Sequence, residues 1–200
     1  MKTIIYSEQI NSTLKEGHMN ECYISVDVET TGPIPGSYSM FEIGACVVGQ
    51  EEIQFDCTLR LFPEANFEQE ALTAIGIESI SKIPVGTDIE LAMSEFALWV
   101  KRVAHNTKPV FVANNAAFDW MFVHWYFVTM RIENPFGHSA LDMKAYFMGM
   151  TGCSWKQASL KNMAQYVAIP FPTLPHRALS DAVIQSNIFS KLLNIRRCGT

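Results

Sequence analysis

The sequence predicts an α/β fold, a mixed sheet with helices on both faces, and three observations carry that prediction. Residues 22–61 hold three successive strand-like runs joined by short turns. From residue 64 onward apolar residues recur at helical intervals. Then two short apolar runs, at 108–113 and 139–143, each open onto a helical segment, the half-unit from which parallel strands are built. Two hundred residues with 48% apolar content suit one domain with a sizeable core. We read residues 1–20, polar and without a clear period, as an N-terminal extension, and 21–200 as a single domain.

The first strand is expected over about 22–28. A turn through Gly32-Pro33-Ile34-Pro35-Gly36 leads to a second strand at 40–49, and the Gly49-Gln50-Glu51-Glu52 link suits a hairpin into a third at 53–61. These three form an antiparallel meander with the first strand on its inner side. Phe67, Ala71, Leu72 and Ile75 mark a short helix that Gly76 ends. A stronger helix begins at Thr87, where Thr87-Asp88-Ile89-Glu90 has capping-box spacing, and Ala92, Phe96, Trp99 and Val103 follow on one face as far as His105. The buried-type strand at 108–113 is broken by Asn114-Asn115 before an apolar helix over 117–130. Further helices are expected at 144–150, 157–167 and 178–195. Prolines 170, 172 and 175 force an extended loop ahead of the last of them.

Charge is unevenly placed. Residues 1–142 carry nineteen acids and eight Lys or Arg, whereas 143–200 carry seven bases and a single acid, Asp181. The net charge of -5 argues against a protein that grips polyanions by bulk charge, but the C-terminal part is locally basic. The five cysteines are odd in number and show no C-x-x-C spacing, so neither a disulfide framework nor a zinc site is indicated. No apolar window reaches membrane-spanning length. Together these features indicate a soluble protein of cytoplasmic type.

Within the first strand, Tyr23-Ile24-Ser25-Val26-Asp27-Val28-Glu29-Thr30, two carboxylates interrupt an apolar run. Alternation puts Asp27 and Glu29 on one face and Val26 and Val28 on the other. An exposed strand face with solvated acids would explain this, as helix capping alone would explain Asp119 and Asp181, each in the first turn of a helix. Yet two sheet-borne and two helix-borne acids can converge on one edge. Four carboxylates repel, and two divalent cations of total charge +4 bring such a site near neutrality.

Asp27-Val28-Glu29-Thr30-Thr31-Gly32, Asn115-Ala116-Ala117-Phe118-Asp119 and His176-Arg177-Ala178-Leu179-Ser180-Asp181 resemble the three motifs of the DnaQ-like 3′-5′ exonucleases, DEDDh subgroup. Glu42-Ile43-Gly44-Ala45 follows the first motif, as in many members. The resemblance spans about 22–193 and implies a ribonuclease-H-like fold with a five-stranded mixed sheet. It implies Asp27, Glu29, Asp119 and Asp181 as metal ligands, two Mg²⁺ or Mn²⁺ ions per site as cofactors, and His176 as general base. The implied reaction is hydrolysis of the terminal phosphodiester of DNA or RNA to release nucleoside 5′-monophosphates. A catalytically silent nucleic-acid-binding or polymerase-associated module on the same fold is the alternative, and it would be expected to lack a ligand or the histidine. His176 stands five residues before Asp181, so it must reach the site from the loop before the helix.

The chain departs from the family at Asn114-Asn115, where many members have His-Asn, and at Ile75-Gly76-Ile77, where many have His-Gly-Ile. Neither change removes a ligand or the base. Both bear on how the terminal nucleotide is seated. Lys144, Lys156, Lys161 and Arg177 lie in the acid-free stretch 143–180 with Tyr146, Phe147, Trp155, Tyr166 and Phe171, and this stretch is read as the face for a nucleic acid with a free, single-stranded 3′ end. Thr30 and Phe118, flanking ligand positions, are read as contacts to the terminal nucleotide. The apolar fraction and Met-rich helices allow a homodimer, and proofreading members of the family imply a polymerase partner as the other arrangement.

Overall fold

The computed structural model describes residues 20–171 and 176–198. Of the expected extension 1–20 all but residue 20, and the middle of the proline-rich loop, fall outside those residues. Five strands, β1 (Glu21–Thr30), β2 (Met40–Val47), β3 (Gln50–Thr58), β4 (Lys108–Ala113) and β5 (Ala140–Asp142), form one sheet in the order β3-β2-β1-β4-β5. β1 pairs antiparallel with β2 and parallel with β4, so the sheet is mixed and β1 is central. Among the described residues six α-helices accompany it: α1 (Gln69–Ala74), α2 (Ile89–Ala104), α3 (Ala116–Thr129), α4 (Met143–Thr151), α5 (Leu160–Tyr166) and α6 (Ala178–Cys198).

The two faces of the sheet have separate cores. Ile24, Val26 and Val28 of β1 are buried with Ala92 and Phe96 of α2 and Phe122 and Tyr126 of α3. Each such aliphatic side chain contributes roughly 1.5–3 kcal/mol on burial. On the other face Val112 of β4 packs with Met143 and Phe147 of α4, Met163 of α5, and Phe189 and Leu192 of α6. Helices therefore cover both faces, as the element order predicts.

Boundaries differ from the sequence expectation where local contacts override pattern. The hairpin turns at residues 48–49, because β3 begins at Gln50 instead of Ile53. At α2 the cap is Asp88 and not Thr87: Asp88 Oδ1 accepts from the N–H of Glu90 (3.1 Å) and of Leu91 (3.4 Å). Thr87 is held extended because its N–H donates to Thr58 O (2.8 Å) and its carbonyl accepts from Arg60 (2.7 Å), so the chain turns helical one residue later. α5 begins at Leu160, three residues late, because Ser159 caps it through the Asn162 N–H (3.2 Å). Cys22, Cys46, Cys57 and Cys153 are free thiols. No helix among the described residues is long and apolar enough to cross a membrane.

Three features open a site at one end of the sheet. The β1–β2 ladder continues to Thr30, whereas the β1–β4 ladder stops at Ser25↔Val112, so the strands part at their carboxyl ends. Asn115 adopts the left-handed conformation (φ 65°), which Asn tolerates, and swings the chain from β4 straight into α3. Gly44 lets the start of α6 lie directly on β2, since a Cβ there would collide with the backbone of Ala178 and Leu179.

Candidate active site

Asp27 and Glu29 project from the face of β1 that α6 covers. Ser25, on that same face, donates its hydroxyl to Ala182 O of α6 (2.8 Å). α3 brings Asp119 over the gap between β1 and β4, where Asp119 Oδ1 accepts from the Val28 N–H (3.2 Å), a donor beyond the reach of the β4 ladder. α6 brings Asp181 from the opposite side. Oxygens of Asp27, Glu29 and Asp181 all lie within 4.8 Å of one another. Asp119 and Asp181 are each 5% exposed and Glu29 is 8% exposed.

Burial raises every one of these carboxyls, and neighbouring carboxylates add to it. Asp27 lies well above its ordinary value, through desolvation first and then through the charges of Asp119, Glu29 and Asp181. Glu29 is pushed up to about 8 by burial, with Asp181, Glu42 and Asp119 adding to it and Arg177 opposing. Asp119 rises to about 7, again chiefly by burial, although its backbone hydrogen bonds pull the other way. Asp181 is raised by burial, with His176 opposing.

These residues fit divalent cations. The donor set is all carboxylate oxygen, the hard donors that Mg²⁺ and Mn²⁺ prefer. Asp181 Oδ1 is buried with no hydrogen-bond partner, which is costly for a carboxylate unless a cation meets it. His176 is exposed at the loop ahead of α6, and with Glu29 it lines a cavity whose walls include Phe41, Ile75, Ile77 and Lys82.

The substrate-contact residues expected from sequence fare unevenly. The Thr30 hydroxyl donates to Gly32 O (2.9 Å), so it braces the turn after β1. Phe118 is half-buried against Phe122, their ring centroids 5.3 Å apart. Arg177 does reach the site, but its Nε donates to both oxygens of Glu42 (3.0 and 3.1 Å). Lys144 stands 4.2 Å over the ring of Trp155, which is half-exposed, while Lys156 and Lys161 are exposed. Among the described residues no ion pair joins these three lysines to the acid cluster. Of the aromatics in the basic stretch, Phe147 belongs to the core, and Trp155 and Tyr166 face solvent.

Sequence reasoning missed Gln185, which is 4% exposed on α6. Its Nε2 donates to Asp27 Oδ1 (2.6 Å) and its Oε1 accepts from the Asn114 N–H (2.7 Å), so one amide ties β1, the β4–α3 turn and α6 together. The available signal was spacing: Gln185 follows Asp181 by four residues, one helical turn on the same face.

An exonuclease family model of the RNase T type matches residues 24–189. The chain is 41% identical over 171 residues to the 3′-5′ DNA exonuclease Cap18 of Escherichia coli, an alignment covering 84% of this chain and 90% of that protein. It is 24% identical over 197 residues to ribonuclease T of Buchnera aphidicola, covering 93% of this chain and 90% of that one. Among solved structures it superposes on the nuclease domain of 3′hExo, a DEDDh family member bound to rAMP, with a TM-score of 0.72 at 14% identity over 88% of this chain and 93% of that domain. That likeness establishes the ribonuclease-H-like fold.

Proposed function

This chain belongs to the RNase T exonuclease family, and from that premise we propose that it is a metal-dependent 3′-5′ exonuclease which hydrolyses the terminal phosphodiester of a nucleic acid and releases nucleoside 5′-monophosphates. The observation that carries this reading is the convergence of Asp27, Glu29, Asp119 and Asp181 from β1, α3 and α6 beside His176. Of these two relatives the one with the higher identity is a DNA exonuclease and the other a ribonuclease, which favours DNA with a free 3′ end as substrate.

Asp27, Glu29, Asp119 and Asp181 hold two Mg²⁺ or Mn²⁺ ions in this proposal. When bound, such ions neutralise the phosphoryl charge and stabilise the leaving 3′ oxygen. His176 takes the proton of the attacking water as general base. Asp181 lies close enough to His176 for their charges to interact, which keeps the imidazole beside the proposed ligands. The cavity walled by Ile75, Ile77 and Lys82 seats the last nucleoside, its apolar side against the base and Lys82 toward the phosphate. Lys144, Lys156, Lys161 and Trp155 hold the strand upstream.

The test is purified protein with Mg²⁺ on 5′-labelled DNA and RNA oligomers of matched sequence, single- and double-stranded, with products sized. Stepwise shortening from the 3′ end with mononucleotide release, faster on single-stranded DNA, is expected. Binding without shortening of any substrate would overturn the catalytic reading in favour of a silent binding module.

A further inference from the structure

Both helices that carry a site acid are attached to the sheet in the same way. In α3 the N–H of the first helical residue, Ala116, donates to Asp142 Oδ2 of β5 (2.6 Å). In α6 the N–H of the first helical residue, Ala178, donates to Glu42 Oε1 of β2 (3.1 Å). Asp119 and Asp181 each stand three residues after that attached alanine, almost one turn on. Each outer acid also holds a second group. Asp142 Oδ1 accepts from the Ala145 N–H at the start of α4 (2.7 Å), and Glu42 clasps Arg177. We propose that Asp142 and Glu42 are a matched pair of positioning residues, one on each side of the site, which set the depth and rotation of α3 and α6 so that Asp119 and Asp181 meet the β1 acids. The inference rests on reading those four acids as metal ligands.

Geometry supports it at several points. A helix is stiff along its axis, so fixing its first N–H fixes a ligand one turn away. Ala116 and Ala178 are 2% and 0% exposed, and their small side chains let the backbone approach the strand acids. A carboxylate meeting a helix N-terminus gains from the charge-assisted bond and from the helix dipole. The arrangement has a cost, because Glu42 lies directly across from Glu29 in the β1–β2 register and adds to the local negative charge. A neutral acceptor would avoid that cost but would hold the helix N-terminus less firmly. His176 adds a further strain: its φ of 50° is unfavourable for a residue with a Cβ, and the two residues after it, Arg177 and Ala178, are both held by Glu42.

The experiment measures Mn²⁺ binding by calorimetry, without substrate, alongside melting temperature. Asp142→Ala and Glu42→Ala should each weaken Mn²⁺ binding by about 10-fold or more, the usual loss when a partner that orients a ligand is removed. Glu42→Gln keeps an acceptor for Ala178 and should recover most of the affinity. Asp142→Asn can serve only one of its two N–H groups and should recover less. Val100→Ala, a core change in α2, should lower the melting temperature and leave Mn²⁺ binding unchanged, which separates positioning from general destabilisation. Wild-type protein that binds no Mn²⁺ refutes the ligand reading and the inference with it. Wild-type protein that binds, with alanine variants that bind equally well, refutes the inference alone. If an alanine variant does not fold, Asp142→Asn takes its place, and wild-type Mn²⁺ affinity in that variant has the same force.

Discussion

The two faces of β1, three residues each between Ile24 and Glu29, do opposite things. Ile24, Val26 and Val28 enter a core that α2 and α3 close, while Ser25, Asp27 and Glu29 enter a site under α6 whose two carboxyls burial and repulsion drive upward. The first face supplies stability. The second consumes it, and the difference teaches that the strand tolerates its acids only because the apolar face anchors it at the sheet centre.

The sharpest way to break the comparison is one substitution on each face. Asp27→Asn should take nuclease turnover to background while the fold survives, because an amide neither repels Glu29 nor ligates a cation well; full activity of this variant with Mg²⁺ would remove Asp27 from the site. Ile24→Ala should do the reverse, costing about 2–5 kcal/mol of stability and roughly 2–4 °C of melting temperature per kcal/mol, with turnover per folded molecule near wild type. Next in size, His176→Ala should cut turnover by roughly 10²-fold with Mn²⁺ binding and melting temperature unchanged. An unaltered rate would exclude it as the base.

A smaller effect concerns pH. A carboxyl raised in the folded state keeps its proton where the unfolded chain has already ionised, so its penalty to stability grows as pH rises. Glu29, ordinarily near 4.5 and here about 8, and Asp119, ordinarily near 3.8 and here about 7, place that loss between about pH 4 and 8. Metal-free protein should therefore melt progressively lower across this window. Added Mg²⁺ or Mn²⁺ should raise the melting temperature more at pH 8 than at pH 5, and an equal rise at both would contradict the arrangement. Smallest is replacement of Lys144, Lys156 and Lys161 together by Ala, which should leave turnover at saturation unchanged, weaken single-strand binding and reduce its salt slope by up to about 2.

Much of this was legible beforehand for physical reasons. Period-2 alternation in β1 put Asp27 and Glu29 on one face, and apolar period located α2, α3 and α6 to within a few residues. The 3₁₀ turn at Ile80–Lys82 was not legible, because three residues are too brief to show a period, whereas β5, equally short, was marked by the apolar run at 139–143. Thr87 and Asp88 are both good caps, and only the backbone pairing of Thr87 with β3 chose between them. Arg177 read as a substrate contact because its partner, Glu42, lies 135 residues away in sequence.

Periodicity in the sequence by itself determined the fold class and the central strand, because it acts over a few positions, and the three motifs, through their resemblance to the exonuclease family, pointed to the acids. Only the tertiary structure decided what surrounds those acids. Gln185 on Asp27, Glu42 beneath α6 and Asp142 beneath α3 are contacts made across the sheet between segments far apart in the chain. Their hydrogen bonds depend on strand register and helix depth, neither of which any local pattern encodes.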